Sequence, residues 1–219
     1  MTPEPVTPEP ELVTPEPAEP EPADQLSAAL QVTGQLIAAI RDEDWARSTP
    51  CLEWNVRDLV GHVVAGNYVS ASVLHGSALS AARAAAHTVL ADTVPAGSVP
   101  AGSGLLSGYR NSAAALVVAF RQPGVLDQVF TFPIGPVPGI AALNLRVTEI
   151  LVHGWDLARA TGQRADFPAG LAEHALTFSR GMLAKIAPDH SPFAPPQPAA
   201  DDAAAIDRLA ACLGRDVTA

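Results

Sequence analysis

Glu149, His153 and Asp156 lie on one run of the sequence, at spacings that would bring three ionisable side chains together. At about 100° per residue they fall within roughly 60° of one another around an α-helix. The apolar residues nearby lie elsewhere around that helix: Leu143, Val147, Ile150, Leu151 and Leu157. Since most of the helix is apolar, we expect the ionisable face to point into the protein, where such groups need a partner charge, hydrogen bonds or a metal. A divalent metal would satisfy all three groups.

A second predicted helix contributes His62, with Asp58 one turn before it and Gly66 one turn after it. We expect the glycine to leave space beside the imidazole. If His62 faces Glu149 and His153, two imidazoles and a carboxylate form a donor set suited to Zn²⁺, with a fourth position open for water or substrate. The alternatives are a hydrogen-bonded core histidine at position 62 and a simple helix pair between Glu149 and His153.

Asp156 and Arg146 are the catalytic candidates. Asp156 could be a metal ligand, a general base, or an acceptor that orients His153, and we favour the last role or one on the substrate side. Its alternative is an ion pair with Arg159 or Arg146. Arg146, one turn before Glu149, could receive an anionic substrate carboxylate or neutralise Glu149.

Three further residues have mainly structural interpretations. Trp54 and Trp155 are predicted to pack between helices, where large rings bury much apolar area. Cys51 could be a ligand or a redox partner near a metal, but Pro50 before it and Trp54 after it favour a buried structural thiol. With only Cys51 and Cys212, no disulfide framework is expected.

Apolar spacing and breaker residues predict six helices. They run from Asp24 to the acidic cluster at 42–44, from Val56 to Leu74, from Leu105 to Phe120, from Ile140 to Thr161, from about Phe167 to Ile186, and from Asp201 to Leu213. Asn55, with Asp58 three residues later, is predicted to cap the second helix. Residues 92–104 read as a loop, and residues 125–139 as a short strand or turn with no sheet.

Composition separates a tail from a folded body. Residues 1–22 repeat Thr-Pro-Glu-Pro three times, and residues 1–24 hold seven acids and no Lys or Arg. Such a segment has little to bury and is expected to be a disordered acidic extension, or a docking or spacing arm. The other 195 residues hold 13 basic and 16 acidic side chains, so the net charge of −10 arises mostly from the tail.

The charge pattern and hydropathy exclude several classes of protein. The body has no basic patch for nucleic acid or for anionic lipid. The N-terminus does not read as a signal peptide, and no apolar run is long enough to span a bilayer. We therefore expect a cytoplasmic protein that binds neither nucleic acid nor membrane; its oligomeric state is left open.

Three segments together resemble the mycothiol-dependent maleylpyruvate isomerase family, within the short actinobacterial branch of the DinB-like superfamily. The segments are Thr-Pro-Cys-Leu-Glu-Trp-Asn-Val-Arg-Asp-Leu-Val-Gly-His at 49–62, Glu-Ile-Leu-Val-His-Gly-Trp-Asp-Leu-Ala-Arg-Ala-Thr-Gly at 149–162, and Asp-Arg-Leu-Ala-Ala-Cys-Leu-Gly-Arg-Asp at 207–216. The likeness covers about residues 25–216, and the motifs follow in the expected order.

The resemblance implies an all-α protein, a DinB-like four-helix bundle with additional C-terminal helices. Together with the composition, it predicts a disordered tail over residues 1–23, a metal-binding bundle over 24–162 and a C-terminal helical extension packed on the bundle over 163–219. By the same resemblance, His62, Glu149 and His153 hold one divalent metal, usually zinc, which activates the thiol mycothiol for isomerisation or S-transfer onto an electrophilic substrate. Metal coordination stabilises a thiolate, the nucleophilic form of a thiol.

Two hypotheses from different classes follow. The first is a metal-dependent thiol transferase or isomerase. The second is a non-catalytic module in which the metal stabilises the helical bundle and the chain binds a protein partner. A structural zinc site is closed by four protein ligands, whereas a catalytic site keeps an exchangeable position. Three identified ligands favour the enzyme, and a fourth ligand from Asp156 or Cys51 would favour the module.

Overall fold

The computed structural model describes residues 21–52, 54–93, 102–132, 135–186 and 193–218. Within these ranges the chain is mostly helical. The helices are α1 (Pro22–Ala38), α2 (Val56–Leu74), α3 (Leu79–Thr93), α4 (Ser103–Phe120), α5 (Gly139–Thr161), α6 (Ala169–Leu183) and α7 (Ala205–Cys212). Short 3-10 turns cover Asp42–Asp44 and Val125–Asp127, and two strands, β1 (Val129–Phe132) and β2 (Gly135–Pro138), pair in an antiparallel hairpin.

Four helices form the bundle. Helix α1 packs on α4 and α5, and α2 packs on the same two helices from the other side. Helix α3 lies against α2 and α4, while α6 and α7 pack on α5 and on each other. The predicted DinB-like four-helix bundle with additional C-terminal helices is confirmed.

Helix α5 is the central element, because neighbours surround it on nearly all sides. Its buried residues include apolar Leu143, Ile150, Leu151 and Leu157 and, on another face, ionisable side chains. Removing such apolar area from water is the main stabilisation of a bundle of this kind. The helix ends where Gly162 adopts a left-handed conformation, with φ of 68°, as predicted.

Helix α2 begins as its sequence predicted. The Asn55 side chain accepts a hydrogen bond from the Asp58 amide at 3.0 Å, and the Asp58 carboxylate accepts one from the Asn55 amide at 3.4 Å. This capping box satisfies two amides that the first turn leaves without helical partners. It fixes where α2 starts and therefore where His62 falls, two turns into the helix.

The structure differs from several of the predicted elements. Helix α3 was not predicted, because its buried face consists of alanines such as Ala82 and Ala86, which give a weak apolar periodicity despite their high helix propensity. The proline-rich stretch forms a two-stranded sheet, since its prolines lie on one edge strand of a hairpin. Helix α1 begins at Pro22, inside the predicted tail, because proline suits the first turn of a helix. Residues 1–20 of that tail lie outside the described residues.

Within the part of the chain that the structure describes, no helix combines the length and the apolar character needed to cross a bilayer.

Candidate metal centre

His62 on α2 faces Glu149 and His153 on α5. One donor atom from each of the three side chains lies within 4.8 Å of the others. The two imidazole rings meet edge to face, with centroids 5.1 Å apart and planes at 80°. His153 is buried, whereas His62 and Glu149 are half-buried. The three predicted ligands therefore form one cluster that is open on one side.

Trp54 covers one side of this cluster. Its ring stacks on His62 with centroids 4.2 Å apart, and its centroid lies 5.9 Å from that of His153. The loop before α2 holds it, because the Trp54 amide donates to the Cys51 carbonyl and Thr49 Oγ1 donates to the Trp54 carbonyl. Trp54 thus contacts the core, as expected, and the candidate site as well.

Trp155 is structural, as predicted. It is buried on α5, and its Nε1 donates to an Asp207 carboxylate oxygen at 2.7 Å. This contact ties α7 to α5.

Asp156 lies fully buried beside His153. Its Oδ2 accepts from His153 Nδ1 at 3.1 Å, since an ionised carboxylate can only accept. It also accepts from two nitrogens of the Arg215 guanidinium, at 3.3 and 3.0 Å. The alternative pairing with Arg159 or Arg146 is not observed, because Arg159 lies over the Trp155 ring and Arg146 binds other partners.

Arg215 is the residue that sequence reasoning missed. It is 59 positions from Asp156 and comes from the segment after α7. The only signal was the closing motif at 207–216, which carried part of the family resemblance but no assigned role. A buried carboxylate requires a compensating partner, yet the sequence alone did not identify this one.

Arg146 is buried between α2 and α5. Its Nη1 donates to Glu149 Oε2 at 2.6 Å, and its Nη2 donates to Asn67 Oδ1 at 2.7 Å. The space expected beside His62 at Gly66 is filled by this guanidinium, since a Cβ on Gly66 would stand 2.7 Å from Arg146 Nη1. The arrangement is that of a residue neutralising Glu149.

The electrostatics favour the metal-binding forms of the cluster. Burial lowers the pKa of His62 to about 4, and the positive charge of His153 adds to this effect. Burial alone would raise the pKa of Glu149, but Arg146, followed by the two histidines, more than offsets it and holds that pKa below its ordinary value. At neutral pH the cluster therefore contains a neutral imidazole at position 62 and a carboxylate at position 149.

Cys51 lies near the other side of His153. Its Sγ belongs to a second group of possible ligand atoms, with His153 and Asp156, that also lie within 4.8 Å of one another. The thiol is half-buried. Among the described residues, Cys51 does not join the cluster of His62, Glu149 and His153, so the structure groups no four of these side chains into one donor set.

A cleft of 740 Å³ opens on the Cys51 side. Its wall includes Pro50 and Leu52, which flank Cys51, and Ala158 and Arg159, which follow Asp156 along α5. Leu52 is 96% exposed at its mouth. The cleft combines apolar surface with a few polar groups, as small-molecule sites do.

The fold and the His–Glu–His cluster together define a class of protein, a helical bundle with a candidate metal centre between two helices. A model of the family described as mycothiol maleylpyruvate isomerase N-terminal domain matches residues 16–158, well over half of the chain. The chain belongs to this family, and the resemblance inferred from its motifs is confirmed.

The chain is also similar to two curated relatives and, in fold, to two solved structures. Two uncharacterized proteins of Mycobacterium tuberculosis, from strains CDC 1551 / Oshkosh and H37Rv, are each 34% identical over 183 residues, which is 83% of this chain and 91% of the relative. Crystal structures of the mycothiol-dependent maleylpyruvate isomerase and of a mutant of it are similar in fold, with TM-scores of 0.53 and 0.55. Each is 17% identical and covers 71% of this chain and 68% of its own.

Proposed function

We propose that this chain is an enzyme that uses a divalent metal, with Zn²⁺ the best fit to its donors, to activate mycothiol for an isomerisation or S-transfer. The observation that carries the proposal is the cluster of His62, Glu149 and His153, whose donor atoms lie within 4.8 Å of one another in a chain of the mycothiol maleylpyruvate isomerase family. Two imidazoles and one carboxylate are the protein ligands of one established type of catalytic zinc site.

The donor set fits a metal for a second reason. His62 and His153 are adjacent imidazoles facing a carboxylate, and burial makes a proton on His62 unfavourable. A metal ion uses the lone pairs that protons would otherwise occupy. The fourth position is left for an exogenous ligand, because neither Cys51 nor Asp156 belongs to this cluster within the described residues.

The metal, when bound, would supply the positive charge that stabilises a thiolate at neutral pH. The protein's own residues prepare that site. Asp156 accepts a hydrogen bond from His153 Nδ1–H, and in this tautomer the Nε2 lone pair is free to bind the metal. Arg215 donates to both carboxylate oxygens of Asp156 and holds that carboxylate in place, and the Trp54 ring covers one face of His62.

Asp156 and Arg146 therefore act through the ligands in this proposal. Asp156 orients His153, and Arg146 neutralises part of the charge of Glu149. We place the thiol and its electrophilic substrate in the cleft beside the loop that holds Cys51, where Arg159 on the wall can meet an anionic group. A cytoplasmic location is part of the proposal, because low-molecular-weight thiols stay reduced in that compartment.

A non-catalytic, metal-stabilised module is the second candidate. The observation in its favour is the group of Cys51, His153 and Asp156, which places a thiol beside one of the ligands. Recruitment of Cys51 as a fourth ligand would close the site. The two candidates differ in whether an added thiol reaches the metal.

Titration of the cobalt-substituted protein with mycothiol tests the proposal. We expect thiol addition to change the cobalt absorption of the wild type and of Cys51→Ser alike, because the thiolate enters an open position. A spectrum with sulfur-to-cobalt absorption before thiol addition, lost in Cys51→Ser and indifferent to mycothiol, would support the closed module and contradict the enzyme. Turnover of electrophilic substrates would then be measured with the responsive protein.

A further inference from the structure

A buried polar network lies behind Glu149 and joins three helices. Asn67 on α2 accepts from Arg146 Nη2 at 2.7 Å through its Oδ1, and its Nδ2 donates to Ser112 Oγ on α4 at 3.3 Å. Ser112 in turn donates to the Tyr109 carbonyl at 2.9 Å. Asn67 and Ser112 are fully buried, and Arg146 is nearly so.

This network determines how Glu149 is held. Arg146 Nη1 donates a hydrogen bond to Oε2 of Glu149, and Nη2 of the same guanidinium donates one to Asn67. A guanidinium is planar, so fixing one corner also fixes the direction of the other. Gly66 supplies the notch in α2 that admits the group, because any side chain there would contact Nη1. Arg146 engages Oε2 in the described hydrogen bonds, so Oε1 is the oxygen that we assign to the cluster.

We infer that Asn67 is a positioning residue that, through Arg146 and the Gly66 notch, makes Glu149 a one-oxygen ligand of the candidate metal centre. The inference rests on the proposed function, since it requires that Glu149 bind a metal. Asn67 touches none of the three ligands in the structure's hydrogen bonds; its effect passes through Arg146.

Two substitutions disturb the network in different ways. Asn67→Ala removes the acceptor that holds Arg146. Gly66→Ala keeps every polar group but places a methyl 2.7 Å from Arg146 Nη1, the movable end of a long side chain, and so displaces the guanidinium from Glu149. Gly61→Ala is the matched control, because it lies in the same helix and its Cβ would meet nothing within 4 Å. All three variants are checked for folding by denaturant unfolding of the metal-free protein.

The measurements are the Zn²⁺ dissociation constant and the cobalt absorption at saturation. We expect Asn67→Ala and Gly66→Ala to weaken metal binding about 10- to 100-fold, the range for outer partners of metal ligands. We also expect their saturated cobalt spectra to change, since a freed Glu149 can bind through both oxygens and raise the coordination number. Gly61→Ala should match the wild type. A substitution that merely loosened the fold would lower the unfolding free energy and leave the saturated spectrum unchanged.

The outcomes separate the inference from the proposed function. If the wild type binds metal, His153→Ala abolishes binding, and both network variants keep the wild-type affinity and spectrum, the positioning role is wrong while the metal centre stands. If the wild type binds no metal, or His153→Ala binds as the wild type does, the proposed function fails, and the inference fails with it.

Discussion

Asp156 is fully buried, and its carboxylate is hydrogen-bonded to His153 and Arg215. Arg215 binds both of its carboxylate oxygens and is itself almost fully buried. Removing one member of a buried ion pair leaves the other charge without compensation, and that penalty usually exceeds the net value of the pair. The Asp156–Arg215 pair therefore affects both the stability of the protein and the orientation of His153.

We expect Asp156→Asn to lower the unfolding free energy of the metal-free protein by about 3–5 kcal/mol, because Arg215 stays buried without a counter-charge. Adding Arg215→Met to that variant should recover part of the loss, since a methionine fills the same space without a charge. Urea unfolding of the wild type, the single variant and the double variant measures both effects. A double variant less stable than Asp156→Asn alone would contradict this account of the pair.

Residue spacing predicted part of the site and missed the rest for a physical reason. Glu149, His153 and Asp156 share a face because they belong to one helix, and the structure brings His62 to them. Contacts within a helix follow from its period. The Asp156–Arg215 pair and the Trp54–His62 stack depend instead on how the segment after α7 and the loop before α2 pack on the bundle. Local periodicity in the sequence does not predict such long-range packing.

Helix α5 packs tightly at Gly154 against Thr33 on α1 and against Phe167, which precedes α6. A Cβ there would stand 2.5 Å from Phe167 Cζ and 2.8 Å from Thr33 Oγ1. Thr33 Oγ1 also donates to the Ile150 carbonyl, so it has little freedom to move. The glycine is required by close packing, as its helical position would otherwise favour alanine.

Gly154→Ala should therefore destabilise the protein by about 1–3 kcal/mol, the usual cost of overpacking a core. Gly61→Ala, in open space on α2, should be neutral or stabilising by about 0.5–1 kcal/mol. Thermal and urea unfolding of the two variants give the comparison. Equal stability of Gly154→Ala and Gly61→Ala would show that α1 and α5 are not packed this tightly.

Tyr109 on α4 predicts a pH dependence. Its hydroxyl donates to the Leu30 carbonyl of α1 at 2.8 Å, and burial raises the pKa of the phenol well above its ordinary value. A raised pKa favours the neutral form in the folded state, so this contribution is complete below about pH 10 and is lost as pH rises. The loss approaches roughly 1.4 kcal/mol for each pH unit above that value.

Tyr109→Phe isolates this effect. We expect the variant to be about 1 kcal/mol less stable than the wild type near neutral pH, for the lost hydrogen bond. Between about pH 10 and pH 11 the difference should shrink or reverse, because phenylalanine has no proton to lose. Parallel declines of both proteins with pH would contradict the assignment.

The elements themselves were predictable where signals are local. The capping box at Asn55, the glycine stop at Gly162 and the apolar spacing of α2 and α5 are all short-range features, and the structure follows them. Helix α3 was not predicted from the sequence because the residues on its buried face are alanines. The pairing of β1 with β2 was not predicted because two strands stabilise each other only once they are paired.

At the scale of the whole molecule, charge is concentrated at the N-terminal end. Residues 1–20 carry no basic side chain and few apolar ones. Asp24, by contrast, pairs with Arg121 at the end of α4 and belongs to the body. A truncation meant to leave the folded body intact should therefore remove residues 1–20.

We expect deletion of residues 1–20 to leave the unfolding temperature and metal affinity unchanged, because so polar a segment has little apolar area to bury. The full chain and the truncated chain are compared by thermal unfolding at low and moderate salt. If the truncated chain unfolds at a markedly lower temperature than the full chain at both salt concentrations, the tail docks on the body.

The α6–α7 region matters to the site as well as to the bundle. Helix α7 is held to α5 through Trp155 and Asp207, and the chain just beyond it delivers Arg215 to Asp156. The ionisable face of α5 is thus completed by residues from α2 and from the segment after α7. The family match over residues 16–158 does not reach Arg215.

His62, Glu149 and His153 are proposed to bind one metal ion, and calorimetric titration of the metal-free protein with Zn²⁺ measures this binding. We expect one ion per chain for the wild type and for His87→Ala, an exposed histidine on α3 that serves as the matched control. We expect binding to be lost, or weakened by more than about 100-fold, in His62→Ala, Glu149→Ala and His153→Ala. No binding by the wild type, or equal binding by all five proteins, would rule out the proposed metal centre.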